Sequence, residues 1–180
     1  DLKNRDRATA MHEALLAKIQ ARIATMPAKD RPTVDVYGES YGAWASQDAF
    51  EGDGLRGLDE HGIEHAMYVG TPSSSGWKPE VEGSGHGDAV ESVRSAAQQQ
   101  EEGSAGDPRV TFLTHDADPV ANFAIDDLWR RPAWLPADGS RGENVPSGQH
   151  WWPGVTGLQT AIDQQRAQYF DIGRLQAMGH

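Results

Sequence analysis

The spacing of apolar residues near the start of the chain predicts an amphipathic helix. Between residues 9 and 26, apolar side chains recur at intervals of four and three, at Met11, Leu15, Ile19, Ile23 and Met26. This spacing places them on one face of a helix, which Pro27 ends because proline cannot continue it. We expect this leading helix, within residues 1–30, to turn its apolar face toward the core.

Three short segments rich in β-branched and aromatic residues predict strands, at 32–37, 65–69 and 109–114. A helix is predicted over 41–50, before several glycines end it. A second amphipathic helix is predicted over 155–169, with an apolar stripe at Val155, Leu158, Ile162 and Tyr169.

Residues 71–108 carry little periodic apolar signal, and we expect a long loop there with at most a short helix over 88–100. Helices and strands otherwise alternate along the chain. This alternation is typical of an α/β fold, in which a parallel sheet is covered by helices on both faces.

Composition and charge exclude several classes of function. The 180 residues include 16 basic and 27 acidic side chains, for a net charge of −11, which argues against nucleic acid or an anionic membrane surface as a partner. With no cysteine, thiol nucleophiles, disulfides and cysteine-bound metals are excluded. No run approaches the roughly 20 apolar residues of a membrane span, so we expect the chain as given to be soluble.

The sequence Gly38-Glu39-Ser40-Tyr41-Gly42 is a GxSxG pentapeptide. It lies between a predicted strand and a predicted helix, the context in which such a serine forms a nucleophile elbow. Ser40 is then exposed on a strained turn, with glycines on both sides leaving room where strand and helix cross. The backbone N–H of Tyr41 would contribute to an oxyanion hole. The alternative is a glycine-rich turn with an incidental serine.

A serine nucleophile needs a histidine base and an acid that orients it, and in this architecture the acid follows a later strand. The third predicted strand is followed by His115, Asp116 and Asp118. We favour Asp118, with Asp116 as the second choice, although either could instead cap a helix. Chain order favours His180 as the base, since it follows the last helix; alternatively it is an ordinary terminal residue.

Six tryptophans are present, four of them between the third predicted strand and the last helix. Aromatic side chains in loops above the serine would suit acyl chains, and we expect Trp77, Trp151 and Trp152 to bind substrate. For each one singly, a role as a core anchor is an equally good interpretation.

Several segments resemble an actinobacterial α/β-hydrolase family, once of unknown function, whose nucleophile lies in a GESxG motif. They are RPTVDVYGESYGAWASQDAF (31–50), VGTPSSSGW (69–77), HDADPV (115–120), RRPAWLP (130–136) and WWPGVTGLQTAID (151–163). The resemblance implies Ser40 as nucleophile, Asp118 as acid and His180 as base. It implies a serine esterase or acyltransferase that acts on lipid-like or other acyl esters without a cofactor or metal.

The resemblance also divides the chain into a leading helix (1–30), the nucleophile strand, elbow and next strand (31–70), a loop region (71–108), and an acid loop, tryptophan-rich cap and final helix (109–180). Full-length family members are membrane-associated, with a catalytic domain that would lie outside the cytoplasm. They carry hydrolase strands before this leading helix.

The expected fold is therefore the C-terminal part of an α/β-hydrolase domain that lacks its first strands. One oxyanion N–H of this fold comes from a loop after an earlier strand. We therefore expect a further polypeptide segment, as a second chain or fragment, to complete the enzyme. The serine hydrolase has two alternatives: a catalytically incomplete binding or assembly module, and a metal hydrolase that uses His115, Asp116 and Asp118.

Overall fold

The computed structural model describes residues 2–85, 87–94, 106–116, 118–122, 125–132, 134–142, 145 and 147–167. The chain divides into two compact units, Asp1–His115 and Asp116–His180. None of the helices in the described ranges is both long enough and apolar enough to cross a bilayer.

The first unit is built on a four-stranded parallel sheet. Its strands are β1 (Asp35–Glu39), β2 (His65–Val69), β3 (Val90–Val93) and β4 (Val110–Leu113). The spatial order is β1-β2-β4-β3, so the strand that precedes the GxSxG serine lies at one edge of the described sheet. In register, Gly38 lies opposite Tyr68, and Tyr68 opposite Phe112.

In the described residues, four helices accompany this sheet: α1 (Leu2–Ala24), α2 (Tyr41–Asp48), α3 (Arg56–Glu60) and α4 (Trp77–Gly83), with a 3₁₀ turn at Ala28–Asp30. The second unit contains α5 (Pro119–Asn122), a 3₁₀ turn at Ile125–Leu128 and α6 (Val155–Ala167). The parallel sheet with its helices confirms the α/β class and agrees with an α/β-hydrolase fold.

The three predicted strands form, and the second matches residue for residue. The first was predicted at 32–37 and lies at Asp35–Glu39, and the third is confined to Val110–Leu113. The prediction for residues 71–108 was wrong in two places. A helix, α4, forms at Trp77–Gly83, and a strand, β3, occupies Val90–Val93 where a short helix was expected. Both elements are short, and α4 buries only Trp77 and Val81, so neither produces a periodic apolar pattern.

The core of the first unit is an aromatic cluster between sheet and helices. Tyr68, Phe112, Phe50 and Trp77 are each 0 % exposed. The Trp77 ring lies 5.6 Å from Phe50, 6.0 Å from Tyr68 and 6.2 Å from Phe112, centroid to centroid. These contacts join α4 to the strands and to the end of α2.

The apolar face of α1 does not turn inward as predicted. Met11 is 75 % and Leu15 56 % exposed, whereas the buried residue of this helix is Leu16. The docked face is mostly polar. Arg5 forms an ion pair with Asp48, and the Gln20 amide donates to the backbone carbonyl of His61 at 2.8 Å. Polar contacts with α2 and with His61, which directly follows α3, therefore orient α1.

The helix α6 departs from its prediction in the same way. Val155, Leu158 and Ile162 are 51, 58 and 41 % exposed, while Thr156 and Thr160 are buried. Tyr169, the last residue of the predicted stripe, lies outside the described residues. The face of α6 that carries small residues packs on the 3₁₀ turn. A Cβ placed on Gly157 would lie 2.9 Å from the backbone nitrogen of Leu128.

Candidate active site

Ser40 occupies a strained turn between β1 and α2. Its φ of 51° and ψ of −115° make it the one non-glycine residue with positive φ in the described part of the chain. Such a conformation costs about 1–3 kcal/mol and persists only where the surrounding structure holds it. Two hydrogen bonds do so here: the Ser40 N–H donates to the Val69 carbonyl at 2.9 Å, and its carbonyl accepts the Trp44 N–H at 3.1 Å.

The two glycines of the motif are not equivalent. A Cβ on Gly38 would lie 2.8 Å from the Cα of Ala43 and 3.1 Å from the Tyr68 ring, so this position requires glycine. No described atom lies within 4 Å of a Cβ placed on Gly42. The expectation that both glycines make room for the crossing of strand and helix therefore holds for Gly38 alone.

Tyr41 begins α2, and its N–H belongs to the first turn of that helix, where backbone donors have no partner within the helix. Its side chain is 43 % exposed, and its ring lies edge-on to Trp44 at 6.2 Å. Ser40 is exposed as well. An accessible hydroxyl beside free helix N–H groups is an arrangement that can stabilise an oxyanion.

The loop that follows β2 is fixed to α2 by a buried polar network that the sequence did not reveal. The Gln47 side chain, 0 % exposed, donates to the Thr71 hydroxyl at 2.9 Å and accepts from the Ser75 hydroxyl at 2.6 Å. Because β2 ends at Val69, which accepts the Ser40 N–H, this loop starts beside the elbow. The three-serine run was visible in the sequence, but its buried partner on α2 was not.

Two partly buried side chains of the first unit have lowered pKa values. Burial lowers the pKa of Lys78, whose Nζ lies 3.5 Å from the Thr114 hydroxyl and 3.9 Å from a Glu82 carboxylate oxygen. Burial also lowers the pKa of His12, with a smaller contribution from His61. His12 Nε2 lies 3.1 Å from the Ser46 hydroxyl, which is 3 % exposed, so this Ser–His pair is structural.

Asp118 belongs to the second unit and immediately precedes α5. Its carboxylate accepts the Ala121 N–H at 3.4 Å, and its carbonyl accepts the Asn122 N–H at 3.1 Å. The Asp118 carboxylate therefore makes a helix-capping contact, which is the alternative role that the sequence suggests for it. Asp116 accepts the Asn122 amide through its carbonyl at 2.7 Å, and its side chain packs against Gly142.

Ser40 therefore belongs to the first unit and Asp118 to the second. His180, the expected base, lies outside the described residues. Among the residues that the structure describes, no three His, Asp or Glu side chains are grouped so as to hold a metal ion. This finding removes the support for a metal site made by His115, Asp116 and Asp118.

The three expected substrate-binding tryptophans have different environments. Trp77 lies in the core of the first unit, where its indole N–H donates to the Gly54 carbonyl at 3.1 Å. In the second unit, the Trp151 indole N–H donates to the Asp127 carbonyl at 3.3 Å, and the Arg131 guanidinium lies 5.3 Å from the ring. Trp152 is 65 % exposed. Trp77 is therefore a core anchor, whereas the Trp152 ring is available for contact with a ligand.

Comparison with known protein families gives a match over nearly the whole chain. No curated protein and no solved structure matches the chain. A family model described as "Alpha/beta-hydrolase family" matches residues 2–180, nearly the whole length. Together with the parallel sheet and the strained serine turn, this match shows that the chain belongs to the α/β-hydrolase family.

Proposed function

We propose that this protein is a serine hydrolase that cleaves acyl esters through an acyl intermediate on Ser40. The observation that carries the proposal is the backbone of Ser40, held at positive φ between a strand and a helix. A fold does not retain a strained, exposed serine without a compensating use, and strain of this kind is concentrated at active sites. The Tyr41 N–H is the proposed oxyanion donor.

In the proposed reaction, the Ser40 hydroxyl adds to the ester carbonyl while a histidine removes its proton. The carbonyl oxygen becomes an oxyanion that accepts the Tyr41 N–H, and collapse of the adduct expels the alcohol, which takes the proton from the histidine. Water then releases the acid, or a second alcohol accepts the acyl group. We assign the base to His180 and the orienting acid to Asp118, with Trp151 and Trp152 contacting the acyl part of the substrate.

The full-length protein is proposed to associate with a membrane, as the sequence resemblance implies. Its catalytic domain would then lie outside the cytoplasm. The substrate class follows from the exposed aromatic side chains of the second unit, which suit a lipid-like acyl chain better than a charged ligand.

A fluorophosphonate probe tests this proposal, because it reacts only with an activated serine. We expect labelling of the wild-type protein at Ser40, and its complete loss in Ser40→Ala. The matched control is Ser46→Ala, which removes a buried hydroxyl and should leave the labelled site unchanged. Asp118→Asn and His180→Gln should each reduce the labelling rate by a factor of about 10³ or more.

The second candidate function is a catalytically incomplete module that binds rather than hydrolyses. It is favoured by the position of β1 at the edge of the described sheet, where no described strand adjoins the outer side of the serine strand. A hydrolase that has only one of the two oxyanion donors would react about 10²- to 10³-fold more slowly. A wild-type protein that is folded but unlabelled by the probe, even at long reaction times, would favour the module.

A further inference from the structure

The carboxyl edge of the described sheet aligns the residues that follow its strands. The last residues of the four strands pair in register across the sheet. The residues that come next therefore form one row, in the order Ser40, Gly70, Thr114 and Arg94. In this row the N–H groups of Ser40, Gly70 and Thr114 each donate to the last carbonyl of the neighbouring strand, at 2.9, 2.8 and 2.8 Å. Ligands of open α/β sheets bind beyond this edge.

Lys78 reaches the row from α4. Its Nζ lies 3.5 Å from the Thr114 hydroxyl and 5.1 Å from the centre of the Phe112 ring. The Lys78 backbone N–H donates to the Ser75 hydroxyl at 3.5 Å, and that hydroxyl is bonded to Gln47 of α2. The side chain is 20 % exposed, so it is largely packed yet still accessible to a ligand.

The Lys78 ammonium lacks close hydrogen-bond acceptors. It has three N–H donors, and in the described part of the chain the Thr114 hydroxyl is the single acceptor within hydrogen-bonding distance. The Glu82 carboxylate lies 3.9 Å away and also accepts the Ser92 hydroxyl. Burial of a cation with so few partners is unfavourable, and it lowers the pKa of Lys78. An oxyanion beside the amine would supply the missing acceptors.

The charges around the amine indicate which oxyanion fits. The Glu82 carboxylate favours the charged form of Lys78, whereas the Arg94 guanidinium opposes it. The Asp116 side chain, two residues after Thr114, packs against Gly142. Two cations and one carboxylate leave one positive charge, although the chain as a whole carries a net charge of −11. A single carboxylate balances this excess, whereas a doubly charged phosphate exceeds it.

The sheet sets the distance between this amine and the proposed nucleophile. Only β2 lies between β1 and β4. Because neighbouring strands lie about 4.8 Å apart, the backbones of Ser40 and Thr114 are about 10 Å apart. An extended acyl chain of medium length spans that distance.

We propose that Lys78, together with the Thr114 hydroxyl, binds a carboxylate at the far end of the substrate's acyl chain. The substrate is then an ester of a medium-chain dicarboxylic acid, which is cleaved at one end and recognised at the other. The Thr114 hydroxyl accepts from the amine and can donate its own proton to the carboxylate. This inference rests on the proposed function, because it names the substrate class of the Ser40 reaction.

Isothermal titration calorimetry of the 180-residue chain with nonanedioate tests the site without any reaction at Ser40. The matched ligand is nonanoate, which has the same chain length and lacks the second carboxylate. We expect nonanedioate to bind about tenfold more tightly, because its second carboxylate gains charge-assisted hydrogen bonds. Equal affinities of the two acids would overturn the proposal.

Three variants locate the preference for nonanedioate. Lys78→Met removes the charge at similar side-chain length and should reduce the preference to less than about twofold. Thr114→Val removes one hydroxyl and should reduce it by about threefold, and this variant carries the test if Lys78→Met does not fold. Lys29→Met removes the same charge from an exposed lysine and should keep the full preference. An unchanged preference in folded Lys78→Met would overturn the assignment.

The p-nitrophenyl esters of the two acids provide the kinetic comparison. Wild type should cleave the nonanedioate monoester with a kcat/KM about tenfold above that of the nonanoate ester, and Lys78→Met should cleave both alike. Probe labelling of Ser40 is measured on the same samples. Labelling with equal binding of the two acids refutes the carboxylate site alone, and a preference for nonanedioate without labelling refutes the esterase alone.

Discussion

At the scale of single residues, substitutions of Ser40 can separate the backbone strain at this position from the proposed reactivity of its hydroxyl. Glycine adopts positive φ without penalty, whereas alanine keeps the strain of serine. We therefore expect Ser40→Gly to have a free energy of unfolding about 1 kcal/mol above that of Ser40→Ala, with both inactive toward the probe. Urea denaturation of the two variants measures the difference, and equal stabilities would contradict a strained turn.

The two motif glycines should respond differently to the same substitution. Gly38→Ala forces a methyl group against Ala43 and Tyr68, and should destabilise the fold by about 1–3 kcal/mol. Gly42→Ala meets open space within α2 and should stabilise it by up to about 1 kcal/mol, because alanine favours helices. Thermal denaturation of both variants tests the contrast, and a loss of stability in Gly42→Ala would refute it.

At the scale of elements, the docking of α1 on α2 depends on a neutral histidine. Burial lowers the pKa of His12 in the folded state below the ordinary value of 6.5. Below about pH 6.5 the unfolded chain thus binds a proton that the folded chain does not, and stability falls as the pH falls.

We expect this dependence to be weaker in His12→Gln, which has no group to titrate at this position. The measurement is the free energy of unfolding between pH 7.5 and pH 5, where one histidine contributes up to about 1.4 kcal/mol per pH unit. The same substitution at the exposed His115 is the control. Identical pH dependence in wild type and His12→Gln would show that His12 titrates normally in the fold.

At the scale of the whole molecule, Trp77 is buried and Trp152 is exposed, so we expect their removal to have different effects. Trp77→Ala removes a fully buried ring that contacts three aromatic residues, and should cost about 3–5 kcal/mol. Trp152→Ala removes an exposed ring and should cost less than about 0.5 kcal/mol, yet slow the cleavage of long-chain esters more than that of acetate esters. Denaturation measures the loss of stability, and cleavage rates for esters of increasing acyl-chain length measure the effect on the substrate. Equal rates for all chain lengths would remove Trp152 from the substrate site.

Local patterns were sufficient for three of the four described strands and for the serine turn. The β-branched and aromatic runs form strands because their preference for extended backbone agrees with burial in the sheet. The motif predicts the turn at Ser40 because the closest atoms to a Cβ at Gly38 belong to the Ala43 backbone on α2, which is near in the chain. Such short-range requirements can be read without knowledge of the rest of the fold.

The sequence alone therefore determined the α/β class, three of the four described strands and the Ser40 elbow. Only the tertiary structure decided that polar residues dock α1, that Gln47 holds the loop after β2, that Trp77 is a core anchor, and that β1 is an edge strand. The physical reason is that these features depend on contacts between distant segments. An apolar stripe such as Met11 and Leu15 specifies a surface to be covered, but the sequence does not specify what covers it.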